Sequence, residues 1–168
     1  DHVVELDREN GEIVRKWDLR ELFDSRQLSN SKNQRDWFHM NAIWYSARDD
    51  SLILSSRNQN AVIKVSGDNH LVWMLTPHGD WGAPALDGED NEISQFLLTA
   101  IDNHGKPYEQ SVQLGNQDAP DFRWSWGQHA SMLLPNGNLF LFDNGLKRNF
   151  VTDGPLFSRA VEYKINDN

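Results

Sequence analysis

Residues 39–75, HMNAIWYSARDDSLILSSRNQNAVIKVSGDNHLVWML, decide the fold. The stretch divides into four short runs rich in β-branched, aromatic and aliphatic side chains, with polar breaks between them. One break is Arg48-Asp49-Asp50, within 39–55, and another is Gly67-Asp68-Asn69, within 61–75. Runs of this kind suit strands, while Gly, Asn and Asp supply the backbone angles of tight turns. The unit reads as a strand headed by a histidine, a turn, a strand, a polar loop, a strand, a turn and a strand.

Parts of the unit recur. Its second half returns at 3–17, VVELDRENGEIVRKW, turning at Glu9-Asn10-Gly11, and again at 160–168, AVEYKINDN. Its first half returns at 129–143, HASMLLPNGNLFLFD, turning at Pro135-Asn136-Gly137-Asn138. Four-stranded antiparallel units repeated along a chain are the mark of propeller blades. The expected fold is all-β: a partial β-propeller of about two to three four-stranded antiparallel blades. Its blade units run over 1–17, 39–75 and 129–168. A β-sandwich also uses many short antiparallel strands, but the return of a histidine at the head of the same strand favours the propeller.

Residues 78–126 interrupt the repeat. Within them, 93–101, ISQFLLTAI, and 108–114, YEQSVQL, are expected to form a further hairpin around Asn103-His104-Gly105. One helical stretch is expected at 18–24, DLRELFD. The frame starts at the third strand of one unit and stops after the third strand of another. A propeller closes on itself to protect its edges, so the chain is expected to be one segment of a longer protein.

Composition narrows the function. The 168 residues are 38% hydrophobic and 24% charged, which suits a globular chain with a real core. A net charge of −9 argues against nucleic acid or an anionic membrane surface as a partner. No cysteine is present, which excludes disulfides, thiolate catalysis and Cys-ligated zinc. No apolar run reaches the roughly 18 residues that insertion into a membrane needs. The chain opens on Asp1, with neither an initiator Met nor a signal-peptide pattern, and is expected to be a processed or excised piece.

His39 and His129 hold equivalent places, each heading the first strand of its unit. In a propeller that strand lines the central channel, so two histidines in neighbouring blades are expected to converge on one site. A single histidine in a strand protein is more often structural; the shared position of the pair tips the reading toward function. His2, His70, His78 and His104 fall in turns or at the terminus and are expected to be solvated. Arg57 ends the second strand of the His39 unit. Such an arginine is commonly a surface residue paired with a carboxylate, but its guanidinium fork also binds tetrahedral oxyanions. Asn41 lies two residues after His39, on the same strand face, where its amide can donate to the same anion. Trp37, Phe38 and Trp44 surround His39, and Trp124 and Trp126 precede His129; of these, Trp37, Phe38 and Trp126 are candidates to stack on an aromatic substrate. The set suits transfer of an anionic group to or from a flat acceptor. There is no HExxH and no third metal ligand by spacing, so no metal is expected; with no Gly-rich nucleotide loop, neither a nucleotide donor nor another cofactor is expected.

At these residues the sequence resembles the bacterial arylsulfate sulfotransferases, which take sulfate from a phenyl sulfate ester without a nucleotide donor. The matching stretches are DWFHMNAIWYSARDDSLILSSRNQNAVIKV (36–65), WSWGQHASMLLPNGNLFLFDNG (124–145) and SRAVEYKI (158–165). The resemblance implies a periplasmic six-bladed propeller, commonly a homodimer, that works by a ping-pong mechanism with a phenolic sulfate donor and a phenol acceptor. It implies that His129, the histidine of GQHAS, is the nucleophile that becomes sulfated. His39 and Arg57 match the residues that hold the sulfuryl and bridging oxygens, and Asn41 matches a neighbouring polar contact. The family also uses a further histidine from an earlier blade, which this chain lacks; the segment alone is therefore expected to have little activity. The competing expectation is a non-catalytic propeller that binds an aromatic ligand or a protein, with structural histidines.

Overall fold

The computed structural model describes residues 1–23, 36–81, 92–146 and 157–166. Three antiparallel sheets follow one another along the chain: β1 (His2–Leu6) with β2 (Ile13–Asp18); β3 (Met40–Ser46), β4 (Ser51–Ser56), β5 (Ala61–Ser66) and β6 (Leu71–Leu75) in sequential order; and β7 (His129–Leu133), β8 (Leu139–Asp143) and β9 (Arg159–Tyr163). None of the sheets closes on itself, and the fold is all-β and partial-propeller-like. The two-, four- and three-stranded sheets match the frame of the sequence repeat.

The turns form where the sequence supplies turn chemistry. Asp7 Oδ1 accepts from the backbone nitrogens of Glu9 at 2.7 Å and Asn10 at 3.2 Å, and Gly11 adopts φ +76°. Asp50 and Asn69 take left-handed angles at their turns, as Gly137 does between β7 and β8. Asn and Asp tolerate that region better than other residues with a Cβ.

The middle sheet is apolar on both faces, because every residue of β4 is buried. Alternation along the strand sends Leu52 and Leu54 one way and Ile53 the other. Leu52, Leu54, Ile63 and Val65 pack with Val3 and Trp17 of the first sheet, with Leu19 just after it, and with Trp37 and Phe38. Ile53, Val62, Trp73 and Leu75 pack with Leu139, Leu141 and Tyr163 of the third sheet and with Trp124 and Trp126. Two cores thus lie on either side of one sheet, as stacked blades require. Burying each aliphatic side chain contributes about 1.5–3 kcal/mol.

Polar ties set the relation between sheets. Trp17 Nε1 donates to the Ser66 carbonyl at 2.8 Å. Arg15 reaches both carboxylate oxygens of Asp50, at 2.9 and 2.8 Å. Within the middle sheet, Lys64 is largely buried and lies 2.7 Å from Asp49. Burial works to raise the Asp49 pKa, but hydrogen bonds from Lys64, Ser46 and Ser51 outweigh it and hold the carboxyl at about 2.

The expected helix is α1 (Leu19–Leu22), with Asp18 as its N-cap accepting from Arg20 N at 3.1 Å; residue 24 lies outside the described residues. The expected hairpin at 93–101 and 108–114 is not formed. Glu92–Phe96 is a 3-10 helix and Gln110–Gln113 is a short helix, α2. The turn at Asn103-His104-Gly105 is present, but only the isolated bridge Ile101–Pro107 flanks it. Two features explain the difference. Pro107 has no N–H to extend a ladder. The Gln113 side chain occupies much of the partner strand's place: its Oε1 accepts from Ala100 N at 2.9 Å and its Nε2 donates at 2.7 Å to Ala100 O, which Tyr108 N also reaches at 3.1 Å. The insertion also covers the β6 edge, where Leu98 N donates to Met74 O at 2.9 Å. Among the described residues no helix is long and apolar enough to cross a membrane.

Candidate functional site

β3 and β7, the two strands headed by histidines, lie side by side. Each breaks register at its start. The β3–β4 pairing shifts between Met40 and Ala42, and the β7–β8 pairing shifts between His129 and Met132. A residue with a left-handed backbone accompanies each break: His39, φ +49°, just before the first, and Ala130, φ +55°, within the second. Such bulges re-aim side chains at the ends of strands.

Arg57 joins His39 through the backbone, as its N–H donates to the His39 carbonyl at 3.2 Å. Asn41 joins the two histidine strands: its Nδ2 donates at 2.7 Å to the carbonyl of Gln128, the residue before His129. Ser55 Oγ donates to the same carbonyl at 3.3 Å. The fully buried Gln128 side chain returns the link, with Nε2 donating to the carbonyls of Ser56 at 3.0 Å and Ala61 at 2.8 Å. The backbone before His129 is thereby locked to the strand end that carries Arg57.

The histidine rings have different partners. His39 Nδ1 lies 2.6 Å from Asp36 Oδ2, and His129 Nδ1 lies 2.7 Å from Asn144 Nδ2. Both histidines are half-buried. His39 and Asn41 line an open cleft of about 730 Å³, together with Asp36, Met40 and His2. His129 and Arg57 do not line that cleft. The Arg57 side chain is exposed and makes no ion pair among the described residues. Around the two histidine strands, the buried atoms Asn41 Oδ1, Gln128 Oε1 and Ser131 Oγ have no hydrogen-bond partner among the described residues.

The aromatic candidates sit in the cores. Trp37 and Phe38 pack edge to face at 5.0 Å in the first core, and Trp126 is buried in the second. Their rings support the loops that carry the histidines, while Trp44 is partly exposed on β3. Two of the histidines expected to be solvated are engaged. His78 Nε2 lies 3.0 Å from the Leu98 carbonyl with its ring against Trp124, and His2 lies at the rim of the His39 cleft, 3.3 Å from Asp18.

Sequence reasoning did not single out Asp36, Gln128, Asp143 or Asn144. The Asp143 carboxylate is fully buried at the end of β8. It accepts from Trp126 N at 2.9 Å and Gly145 N at 2.8 Å, and it pairs with Arg159 Nε at 2.8 Å. It therefore holds both the approach to His129 and the turn bearing Asn144. A signal for Asn144 was present in the sequence: it follows its unit's second strand directly, as Arg57 follows β4.

In this all-β stack of sheets, two histidines and an arginine with no ion pair among the described residues stand at neighbouring strand ends. The chain belongs to the arylsulfotransferase (ASST) family, whose model matches residues 1–168. It is 30% identical to arylsulfate sulfotransferase AssT of Escherichia coli O6:H1 over 205 aligned positions, covering 99% of this chain and 32% of that protein. It is 35% identical to the AssT of Lelliottia amnigena over 138 positions, covering 80% of this chain and 21% of that protein. The chain thus spans about a third or less of the length of these relatives.

Proposed function

We propose that the longer protein of which this chain forms part transfers a sulfuryl group from a phenolic sulfate ester to another phenol, through a sulfohistidine on His129. In the first half-reaction a His129 ring nitrogen forms a bond to sulfur and the bond from sulfur to the aryl oxygen breaks. The electron pair goes to the departing phenolate, which takes its proton from His39. In the second, the acceptor oxygen attacks sulfur and the N–S bond breaks. Arg57 and the Asn41 amide stabilise the charge spread over the sulfuryl oxygens. No metal or nucleotide takes part. On this reading the whole protein is a periplasmic, six-bladed homodimeric propeller, and the segment alone has little activity because part of the site lies on other blades.

The observation that carries the reading is Arg57: an exposed guanidinium with no carboxylate partner among the described residues, bonded through its backbone to His39. A permanent cation with no counter-ion among the described residues, tied through its backbone to His39, suits an anionic group in transit. The test supplies the full-length protein with an aryl sulfate and a second phenol. Sulfation of the second phenol, abolished by His129→Ala, is expected. Turnover by the 168-residue segment equal to that of the full protein would contradict the claim that the site is incomplete.

A further inference from the structure

The tautomers of the two histidines can be read from their Nδ1 partners. Asn144 Nδ2 lies 2.6 Å from the Gly127 carbonyl oxygen as well as 2.7 Å from His129 Nδ1. A carbonyl oxygen only accepts, so the Gly127 contact fixes which end of the amide is the nitrogen. With the amide turned over, two oxygens would face each other with no hydrogen between them. An amide nitrogen only donates. Nδ1 of His129 therefore accepts, and the neutral ring carries its hydrogen on Nε2. At His39 the arrangement is reversed. The Asp36 carboxylate, 2.6 Å from Nδ1, accepts, so Nδ1 carries the hydrogen and the neutral ring has its lone pair on Nε2.

We infer that Asn144 is a positioning residue for His129: it fixes the ring plane and holds the Nε2–H tautomer, opposite to that of His39. The geometry carries the tautomer; its purpose rests on the transfer reading above. Under that reading His39 Nε2, the lone-pair nitrogen on the adjoining strand, first takes the Nε2 hydrogen of His129, which frees the in-plane lone pair that forms the N–S bond. As the S–O bond to the aryl group breaks, the protonated His39 gives that hydrogen to the departing phenolate oxygen. The loaded ring is then a neutral N-sulfoimidazole, whose Nδ1 lone pair remains held by the Asn144 amide. A side chain that only accepts at this position would force the hydrogen onto Nδ1 and leave the loaded ring positively charged.

The test is nitrogen NMR on the chain labelled with ¹⁵N-histidine, about two pH units above the ordinary histidine pKa of about 6.5. For His129, Nδ1 is expected to show the shift of an unprotonated nitrogen and Nε2 that of a protonated one. Asn144→Asp is expected to reverse the two, and Asn144→Ala to give averaged shifts. His78, whose Nε2 donates to the Leu98 carbonyl, reports whether the fold is intact in each variant. A hydrogen on His129 Nδ1 in the unaltered chain overturns the inference, as does an unchanged His129 pattern in Asn144→Asp with the His78 signals in place. None of these readouts needs turnover, so failure of the transferase reading would leave them unaffected.

Discussion

Asn41 Nδ2 donates to the Gln128 carbonyl at 2.7 Å, and this bond joins the strand of one histidine to the backbone of the other. Asn41 stands two residues after His39 and Gln128 one before His129, so the bond fixes how the two strand ends meet. Asn41→Ala is expected to lower stability by about 1 kcal/mol, since Ser55 Oγ still reaches the same carbonyl. Urea unfolding of the segment measures that loss. In the full-length protein the same change is expected to lower turnover more than this loss of stability accounts for.

Arg57 gives the opposite contrast. With an exposed side chain and no ion pair among the described residues, Arg57→Ala is expected to alter stability by less than about 0.5 kcal/mol. In the full-length protein it is expected to reduce sulfuryl transfer about 100- to 1,000-fold, the scale for losing one donor to a developing oxyanion. Arg57→Lys restores only part of the rate, because an ammonium lacks the fork. Steady-state kinetics beside thermal unfolding separate the two effects.

The middle sheet makes a prediction about packing. Leu54 and Ile53 are fully buried on opposite faces. Leu54→Ala and Ile53→Ala are each expected to cost about 2–5 kcal/mol, although their side chains serve different cores. If the sheet had one solvated face, one of the two changes would be nearly neutral in an unfolding titration.

Asp49 sets a pH dependence. Its carboxyl is held below the ordinary 3.8, at about 2, by Lys64, Ser46 and Ser51 acting against burial. A depressed carboxyl contributes stability that is present above pH 3.8 and is lost as the pH falls toward 2. Asp49→Asn is expected to flatten this part of the acid-unfolding curve and to lower stability at neutral pH, where Lys64 loses its partner.

Much of the fold was legible because its signals are local. A β-branched run, a polar turn and an aromatic-rich run specify a hairpin wherever they occur, as at Val3–Trp17 and Ala61–Leu75. The two-faced middle sheet also shows in the sequence, since SLILSS carries apolar residues on both parities. The insertion was not legible in this way. ISQFLLTAI has strand composition, but the Gln113 side chain takes the Ala100 N–H and shares the Ala100 carbonyl with Tyr108 N, so the pairing goes no further than an isolated bridge. The site divides similarly. His39 and His129 stand out by their repeated place in the unit and Arg57 by ending the strand next to that of His39, whereas Asp36 is an ordinary loop residue until its ring contact is seen and Asn144 is marked only by holding Arg57's place in its own unit. Trp37, Phe38 and Trp126 could not be assigned by type alone, because aromatic residues next to a histidine serve a core as readily as a ligand.

The central claim is tested most directly by intact-mass and peptide mapping of the full-length protein, quenched soon after it meets an aryl sulfate without an acceptor. One added sulfuryl group on His129, absent from His129→Ala and lost when a phenol is supplied, is the predicted result. Release of the donor phenol with no adduct at His129, or with the adduct on another residue, would contradict the account.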